Sequence, residues 1–368
     1  MNFRFCIPKV IGRGAGLGNE LVPWCRSFLA ARLLGAHSVA PAFGLNPRRY
    51  GRHFGTPAWD WLAHRMAVRV LPTLEFTEQD YLDHGGGDVV SALRAFAEQK
   101  ALFERQVFVL QTAGMWGGMH HIEAAREHAR SLLYLSRFAA RNLLALRARL
   151  DPALPVVAMH VRFGDFGAPL DPGQYRGRFN ASLPLSWYRR VAESIHRQCR
   201  GDVQFLIVSD APPSSLGSLT TGLPCVSSAG LADSDCSDLL ALAQADLLVC
   251  SISSYSVWAA FLSDAPYLWY GPNLHEHVEG CLSIWGHEPS QLRPSSPTHA
   301  AVAAWRIGTA QRPRGWPIGA DGDVPTTALA ALNDRRSGRG SDLVRYGVVP
   351  AGGIRAVAPS EPMQAQAR

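Results

Sequence analysis

Lysine is nearly absent from this chain. Of its 36 lysine and arginine residues only Lys9 and Lys100 are lysines, so arginine carries the formal charge of +6. Arginine's planar fork grips phosphate or carboxylate at two points, whereas lysine acts as a point charge. Runs of basic residues are missing too. That excludes a polybasic nucleic-acid footprint and leaves an anionic small molecule as the natural partner. Cysteine is sparse and unpatterned: the seven cysteines are odd in number and none has Cys-x-x-Cys spacing. A disulfide framework or a zinc site therefore does not follow, and cysteines in apolar stretches act as small hydrophobes. Long apolar runs are also lacking, because the stretch from Ser256 to Tyr270 is interrupted by Asp264 and Pro266. No segment is expected to span a bilayer. The start, MNFRFCIPKVIGRG, has no apolar stretch of signal-peptide type, so a cytoplasmic protein is the expectation.

What the chain does have is enough apolar material for two cores. Its 368 residues are 47% hydrophobic and 18% charged, which fits two domains of ordinary size. Periodicity predicts a strand over Phe5 to Ile11, a helix from about Glu20 to Gly35, strands near Val68 to Leu71 and Gln106 to Leu110, and a helix near Val89 to Phe103. Ile122 to Leu150 reads as one helix ended by Pro152 and Pro155, which places a domain boundary at about 150. The second half alternates strands and helices: Pro155 to His160, Trp187 to Cys199, Gln204 to Val208, Cys236 to Ala245, Leu247 to Cys250, Ser254 to Leu262 and Tyr267 to Tyr270. Such alternation implies an α/β fold on a parallel sheet covered on both faces, with ligands beyond the carboxyl ends of its strands. The expected organisation is thus residues 1–150, residues 151–310, and an irregular, largely disordered tail over 311–368 rich in Pro, Gly, Arg, Ser and Ala.

Three stretches could carry chemistry. Gly12-Arg-Gly14-Ala-Gly16-Leu-Gly18-Asn19 follows a strand and opens a helix, so its amides could meet an anion. The spacing does not fit a dinucleotide fingerprint, no acidic residue follows to hold a ribose, and no Gly-Lys-Ser/Thr is present for a phosphate loop. His160-Val-Arg162-Phe-Gly-Asp165 leaves a strand end, where Arg162 could fork onto a diphosphate with Asp165 as its brace. Asp238 to Trp258 reads helix, buried strand, hydroxyl-rich turn, helix. Ser253 and Ser254 would cap the last helix and offer hydroxyls and amides to an anion, and Asp238 could accept from the N1–H and amino group of guanine. Each stretch alone is also explained by capping, packing or a surface ion pair.

Together, in this order, they resemble the fucosyltransferases that use GDP-fucose: the bacterial α1,2 enzymes, the nodulation-factor and core α1,6 enzymes and, more distantly, the protein O-fucosyltransferases. Gly14-Ala-Gly16-Leu-Gly18-Asn19-Glu20 resembles their glycine loop, and His160-Val-Arg162-x-x-Asp165 their His-x-Arg-x-x-Asp signature. Ala243 to Cys250 resembles the α1,6 group, Ser253 to Leu262 is similar to the α1,2 group, and Ser209-Asp210 matches a further Ser/Thr-Asp element. The likeness spans Leu154 to Trp269 and, in the first half, only the loop and first helix.

The resemblance implies a GT-B arrangement of two Rossmann-like domains facing a cleft, and an inverting, metal-independent glycosyltransferase. Arg162 would hold the β-phosphate, His160 touch the nucleoside, and Asp238 read guanine. Ser254 and the Tyr255 amide would meet the diphosphate, with Gly16 and Gly18 from the other domain. No cofactor is implied beyond the GDP-sugar donor. The implied acceptor is a cell-surface glycan or its lipid-linked precursor, with at most peripheral association at the inner face of the membrane.

Two positions depart from the pattern. Phe163 stands where the α1,2 and α1,6 enzymes carry a second arginine, and Leu170, next to Asp171, stands where the α1,6 group has its acidic base. Asp165 and Asp171 are the candidates for general base. The alternatives are transfer from another GDP-sugar and a non-catalytic nucleotide- or glycan-binding module. Asp233-Ser-Asp235 spells a metal-binding triplet but follows no buried strand, and His120-His-Ile-Glu123 places adjacent histidines on diverging directions, so no metal site is expected. Trp59, Trp61, Trp116 and Trp187 could stack on an acceptor sugar or fill the core.

Overall fold

The computed structural model describes residues 2–9, 15–41, 48–55, 65–84, 89–114, 116, 119–164, 166–176, 178, 181–274 and 314–338, together with strand segments of two or three residues at 276–277, 281–282, 305–307, 312–313, 343–344, 349–350 and 357–359. Among the described residues, the chain divides into two compact units between Arg137 and Phe138.

In the first unit the elements are β1 (Phe3–Pro8), α1 (Leu17–Leu34), β2 (His37–Ser38), β3 (Thr73–Phe76), α2 (Glu78–Asp83), α3 (Val89–Gln99), β4 (Val107–Thr112) and α4 (Arg126–Tyr134). The strands form one parallel sheet in the order β2-β1-β4-β3. Gly35, at φ 59°, ends α1 in the left-handed conformation that glycine adopts without strain. Arg26 of α1 is fully buried and has no acid partner among the bonds described. Its guanidinium lies 3.6 Å over the Trp116 ring and donates to the carbonyls of Ala113, at 2.8 Å, and Gly114. Burial lowers its pKa to about 9. Arg26 is thus spent on holding the loop after β4.

Two expectations fail here. The strand expected at Val68 to Leu71 is not one, since residues 65–70 are helical and the strand comes later, at Thr73. Met66 and Val70 sit on that helix half or more exposed, so their apolarity did not mark burial. The single helix expected over Ile122 to Leu150 breaks at 135–138. There the buried Ser136 hydroxyl pairs with His53 Nδ1 at 2.9 Å, and the Arg137 amide donates to the His53 carbonyl, drawing the backbone out of the helix.

The second unit contains α5 (Ala139–Arg147), β5 (Val156–Val161), α6 (Leu185–Gln198), β6 (Gln204–Ser209), β7 (Cys225–Ser227), α7 (Asp235–Gln244), β8 (Leu247–Val249), α8 (Ser254–Leu262), β9 (Tyr267–Tyr270), β10 (Gly315–Ile318) and α9 (Thr326–Arg336). All six strands run parallel in the order β10-β9-β8-β5-β6-β7. Counted along the chain this is 6-5-4-1-2-3, the order of the doubly wound nucleotide-binding sheet. The strands are buried residue after residue, as a sheet covered on both faces requires.

The boundary expected near 150 therefore moves to 137/138. Asn142 of α5 donates to the Ala232 carbonyl at 3.1 Å and the Ser237 hydroxyl at 3.2 Å, fastening that helix to the start of α7. The tail expected as irregular from 311 is folded over 314–338. Gly315–Ile318 is the sixth strand, and a Cβ on Gly315 would lie 2.2 Å from the Tyr267 ring, so only glycine lets β10 approach β9 here. Arg314, buried, donates to the carbonyls of Ala260 and Ser263 and so ends α8. Trp187 Nε1 reaches the Gly319 carbonyl at 2.9 Å, and Arg336 the Ala153 carbonyl at 2.8 Å.

Candidate functional site

In a sheet of this order the connections from β5 and β8 leave in opposite directions, opening a crevice at their carboxyl ends. The sequence puts its polar residues there. His160 is the penultimate residue of β5 and Arg162 follows the strand. Ser209 ends β6 and Asp210 follows it, Ser251 to Ser253 lie between β8 and α8, and Ser254 opens α8.

Arg162 is held from β6. Its NH1 lies 2.7 Å from Asp210 Oδ2, while Asp210 Oδ1 accepts the Phe163 amide at 2.8 Å. One carboxylate thereby fixes both the guanidinium and the backbone that carries it. Gly164 makes room for it: a Cβ there would lie 1.9 Å from Asp210 Oδ2. The Arg162 guanidinium also lies 5.1 Å from the Phe166 ring. The described brace of Arg162 is thus Asp210, and Asp165 lies outside the described residues. Ser209 turns its hydroxyl to the Ala211 amide at 3.0 Å.

His160 is buried. Its Nδ1 lies 2.8 Å from the Ser256 hydroxyl and 3.0 Å from that of Ser251, and its ring centroid is 5.0 Å from that of Tyr255. Burial, with the Arg162 charge in support, lowers its pKa to about 3, so the ring is neutral. Ser253 is the N-cap of α8 and accepts from the amides of Tyr255 at 3.1 Å and Ser256 at 3.4 Å. An anion at the Tyr255 amide would share that donor with Ser253. The Tyr255 hydroxyl donates to the Asp235 carbonyl and so ties the start of α8 to the start of α7.

Asp238, on the first turn of α7, is buried. Its Oδ2 accepts the Ser234 hydroxyl at 2.7 Å, and Oδ1 has no hydrogen-bond partner. Burial pushes its pKa up to about 7, and the hydroxyl bond from Ser234, with the unpaired Ser228 hydroxyl nearby, offsets part of that rise. A buried acceptor without a donor is what a base edge would complete. Asp235 is the first residue of α7, with Ser234 in the cap position. Asp171 is exposed and precedes the single turn Pro172–Gln174. Behind that turn Tyr175 is fully buried and pins the loop, accepting the Leu170 amide at 2.9 Å and donating to the Ser182 carbonyl at 2.7 Å.

Gly16, Gly18 and Asn19 lie in the first unit, at the start of α1. Gly16 is the N-cap, the Asn19 amide donates back to its carbonyl at 2.9 Å, and the Leu17 amide is taken by the Tyr50 hydroxyl at 2.9 Å. Gly12 and Gly14 are outside the described residues. Among the tryptophans, Trp116 and Trp187 are core residues, and Trp59 and Trp61 are outside the described residues. The described cysteines are free thiols, and burial pushes those of Cys6, Cys25 and Cys250 up to about 12, which leaves them unreactive.

Of the residues singled out in the sequence, the fold brings His160, Arg162, Ser209, Asp210, Ser253, Ser254 and Tyr255 to the carboxyl end of one sheet, with Asp238 on α7. Sequence reasoning gave no role to Ser251, Ser256 or Ser228 and noted Gly164 only as the neighbour of Arg162. Ser251 and Ser256 lie in the hydroxyl-rich stretch that was singled out, while nothing local marked Ser228.

No family model and no curated protein matches this sequence. Among solved structures the chain is similar to POFUT1 in complex with GDP-fucose, at 14% identity and a TM-score of 0.44 over 73% of this chain and 98% of that one. It is similar to the fucosyltransferase NodZ from Bradyrhizobium, at 13% identity and a TM-score of 0.41 over 72% and 95%. It is also similar to the E. coli ADP-heptose lps heptosyltransferase II, at 10% identity and a TM-score of 0.36 over 91% and 98%. At these scores the likeness is one of broad layout.

Proposed function

We propose that this chain is a glycosyltransferase that binds a GDP-sugar in its second unit and passes the sugar to a glycan acceptor, with GDP-fucose as donor. One observation carries this reading: at the switch point of a doubly wound sheet, a braced arginine, a neutral histidine and a serine-capped helix start stand together, and the orphaned acceptor Asp238 stands one helix away.

Breaking the sugar–phosphate bond leaves negative charge on GDP. Arg162, held by Asp210 before any ligand arrives, would stabilise that charge without reorganising, and the dipole at the start of α8 adds to it. Asp238 would accept from the guanine edge. Asp171, or Asp165, would take the proton of the acceptor hydroxyl as its oxygen bonds to the sugar carbon on the face opposite the departing GDP, a single displacement that inverts that carbon. The chemistry asks for no metal, since the cationic role falls to Arg162. Transfer from another GDP-sugar is the second reading, and it is favoured by Phe163: the amide serves Asp210, but the side chain brings no second charge to the diphosphate.

The test is release of GDP from GDP-fucose and from other GDP-sugars, with and without glycan acceptors and with and without chelator. Turnover of GDP-fucose unaffected by chelator is expected. Binding without turnover across donors and acceptors would contradict the enzymatic reading, and loss of activity in chelator would contradict the metal-independent one.

A further inference from the structure

His160, Ser251 and Ser256 form a closed triangle in the second unit. Nδ1 lies 2.8 Å from Ser256 Oγ and 3.0 Å from Ser251 Oγ, and the two hydroxyls are 3.2 Å apart. All three residues are buried, and Ser256 is fully so. A fourth bond enters the triangle from the backbone, because the Ser251 amide donates to Ser256 Oγ at 2.9 Å.

Counting protons decides the ring's state. Each hydroxyl has one proton to give, and Nδ1 has either one proton or one lone pair. If Nδ1 carried a proton, three protons would face three oxygen or nitrogen corners of which only the two oxygens could accept. One hydroxyl would then have to turn its proton out of the triangle, and the acceptor next to Ser256 is the Cys250 sulfur, a weak one. If Nδ1 carries a lone pair, every group is satisfied: one serine donates to Nδ1, the other serine donates to the first, and Ser256 Oγ also receives the amide. Buried polar groups are held in such paired states, and leaving one unmade costs about 1–3 kcal/mol.

We propose that Ser256 and Ser251 fix His160 in the tautomer whose proton is on Nε2, so that the ring edge at the β5–β8 switch point donates a hydrogen bond to an oxygen of a bound nucleoside diphosphate. Ser256 is then a positioning residue that acts through His160. The described residues provide no hydrogen-bond partner for Nε2, and this atom is not among the buried unpaired ones. The neutral ring agrees with its burial next to Arg162. The ligand part of the inference rests on the proposed GDP-sugar reading; the tautomer part does not.

The experiment is long-range proton–nitrogen NMR on the full chain with ring-labelled histidine, the His160 signal being identified by its loss in His160→Gln. The spectrum is recorded with and without saturating GDP. An unprotonated Nδ1, a protonated Nε2 and a shift of the Nε2 signal on adding GDP are expected. Replacing both hydroxyls, Ser251→Ala with Ser256→Ala, should bring in the Nδ1–H form and weaken GDP binding about five- to tenfold. A protonated Nδ1 in the unaltered protein would overturn the proposal whatever GDP does and whether or not the serine double variant folds. An Nε2–H ring whose signal ignores bound GDP would overturn the donor role. An Nε2–H ring in a protein that binds no GDP would overturn the GDP-sugar reading and the donor role with it, while leaving the tautomer standing.

Discussion

Two helices of this chain begin just beyond the carboxyl end of a parallel strand, where backbone amides are suited to meet an anion, yet they are built differently. At α1 the cap is Gly16, which has no side chain to offer, and the Leu17 amide is already taken by Tyr50. Glu20, 1% exposed, places a carboxyl group in that first turn, where it answers the helix dipole from within the chain. At α8 the first turn holds no acid, Ser253 caps it, and β5 carries His160 near its end with Arg162 just beyond. The glycine run is the louder signal in the sequence, but the disposition of charge makes α8 the better anion end.

Removing the cation of that pair should have the largest effect. Arg162→Ala is expected to weaken GDP binding by at least about tenfold and to abolish transfer, with the melting temperature unchanged. Titration calorimetry and a GDP-release assay check this, and unaltered kinetics would refute the role. Gly164→Ala should come next, because the new Cβ would collide with Asp210 and displace the brace of Arg162. Its expected effect is a loss of GDP affinity of about tenfold with a lowered melting temperature; affinity equal to that of the unaltered protein would show that Asp210 can move at no cost.

Asp238 should give a moderate, pH-dependent effect. Its folded pKa is raised to about 7, so the folded chain binds this proton more tightly than the unfolded chain does. The resulting stability is fully present below the unfolded carboxylate value near 4 and is lost as pH rises through about 7. Asp238→Asn should therefore compare best with the parent at pH 8 and worst at pH 4, as melting curves would reveal. Guanine needs the ionised form, so GDP affinity should fall below pH 7 in the parent and not in Asp238→Asn. His160 contributes to stability with the opposite sign, since its folded pKa of about 3 favours the fold less as pH falls below 6.5. The smallest effect is expected for Gly16→Ala, where a Cβ meets nothing within 4 Å at φ −70°. Affinity for GDP should change by about twofold or less, and a tenfold loss would place the anion at α1 after all.

The strands and helices of the second unit were legible because each is dictated locally. Ser254 to Leu262 and Tyr267 to Tyr270 lie where the sequence puts them, since strands covered on both faces read as unbroken apolar runs. β10 was not legible: Gly315-Trp-Pro-Ile318 reads as a turn, and only its place at the sheet edge lets Pro317 sit in a strand. The break at 135–138 was hidden because its cause, His53, lies far along the chain. The site divides in the same way. Arg162, His160 and Ser253 could be picked from residue type and from the element ends they occupy. Their pairings could not: Asp210, itself singled out, reaches Arg162 from the end of the next strand, and Ser256 reaches His160 across 96 residues.

A crystal of the full-length protein soaked with GDP tests the central claim most directly. The diphosphate should lie on the Arg162 guanidinium at the start of α8, with the base toward Asp238. A diphosphate bound at the start of α1 with Arg162 still paired to Asp210, or no GDP at saturating concentration, would contradict it.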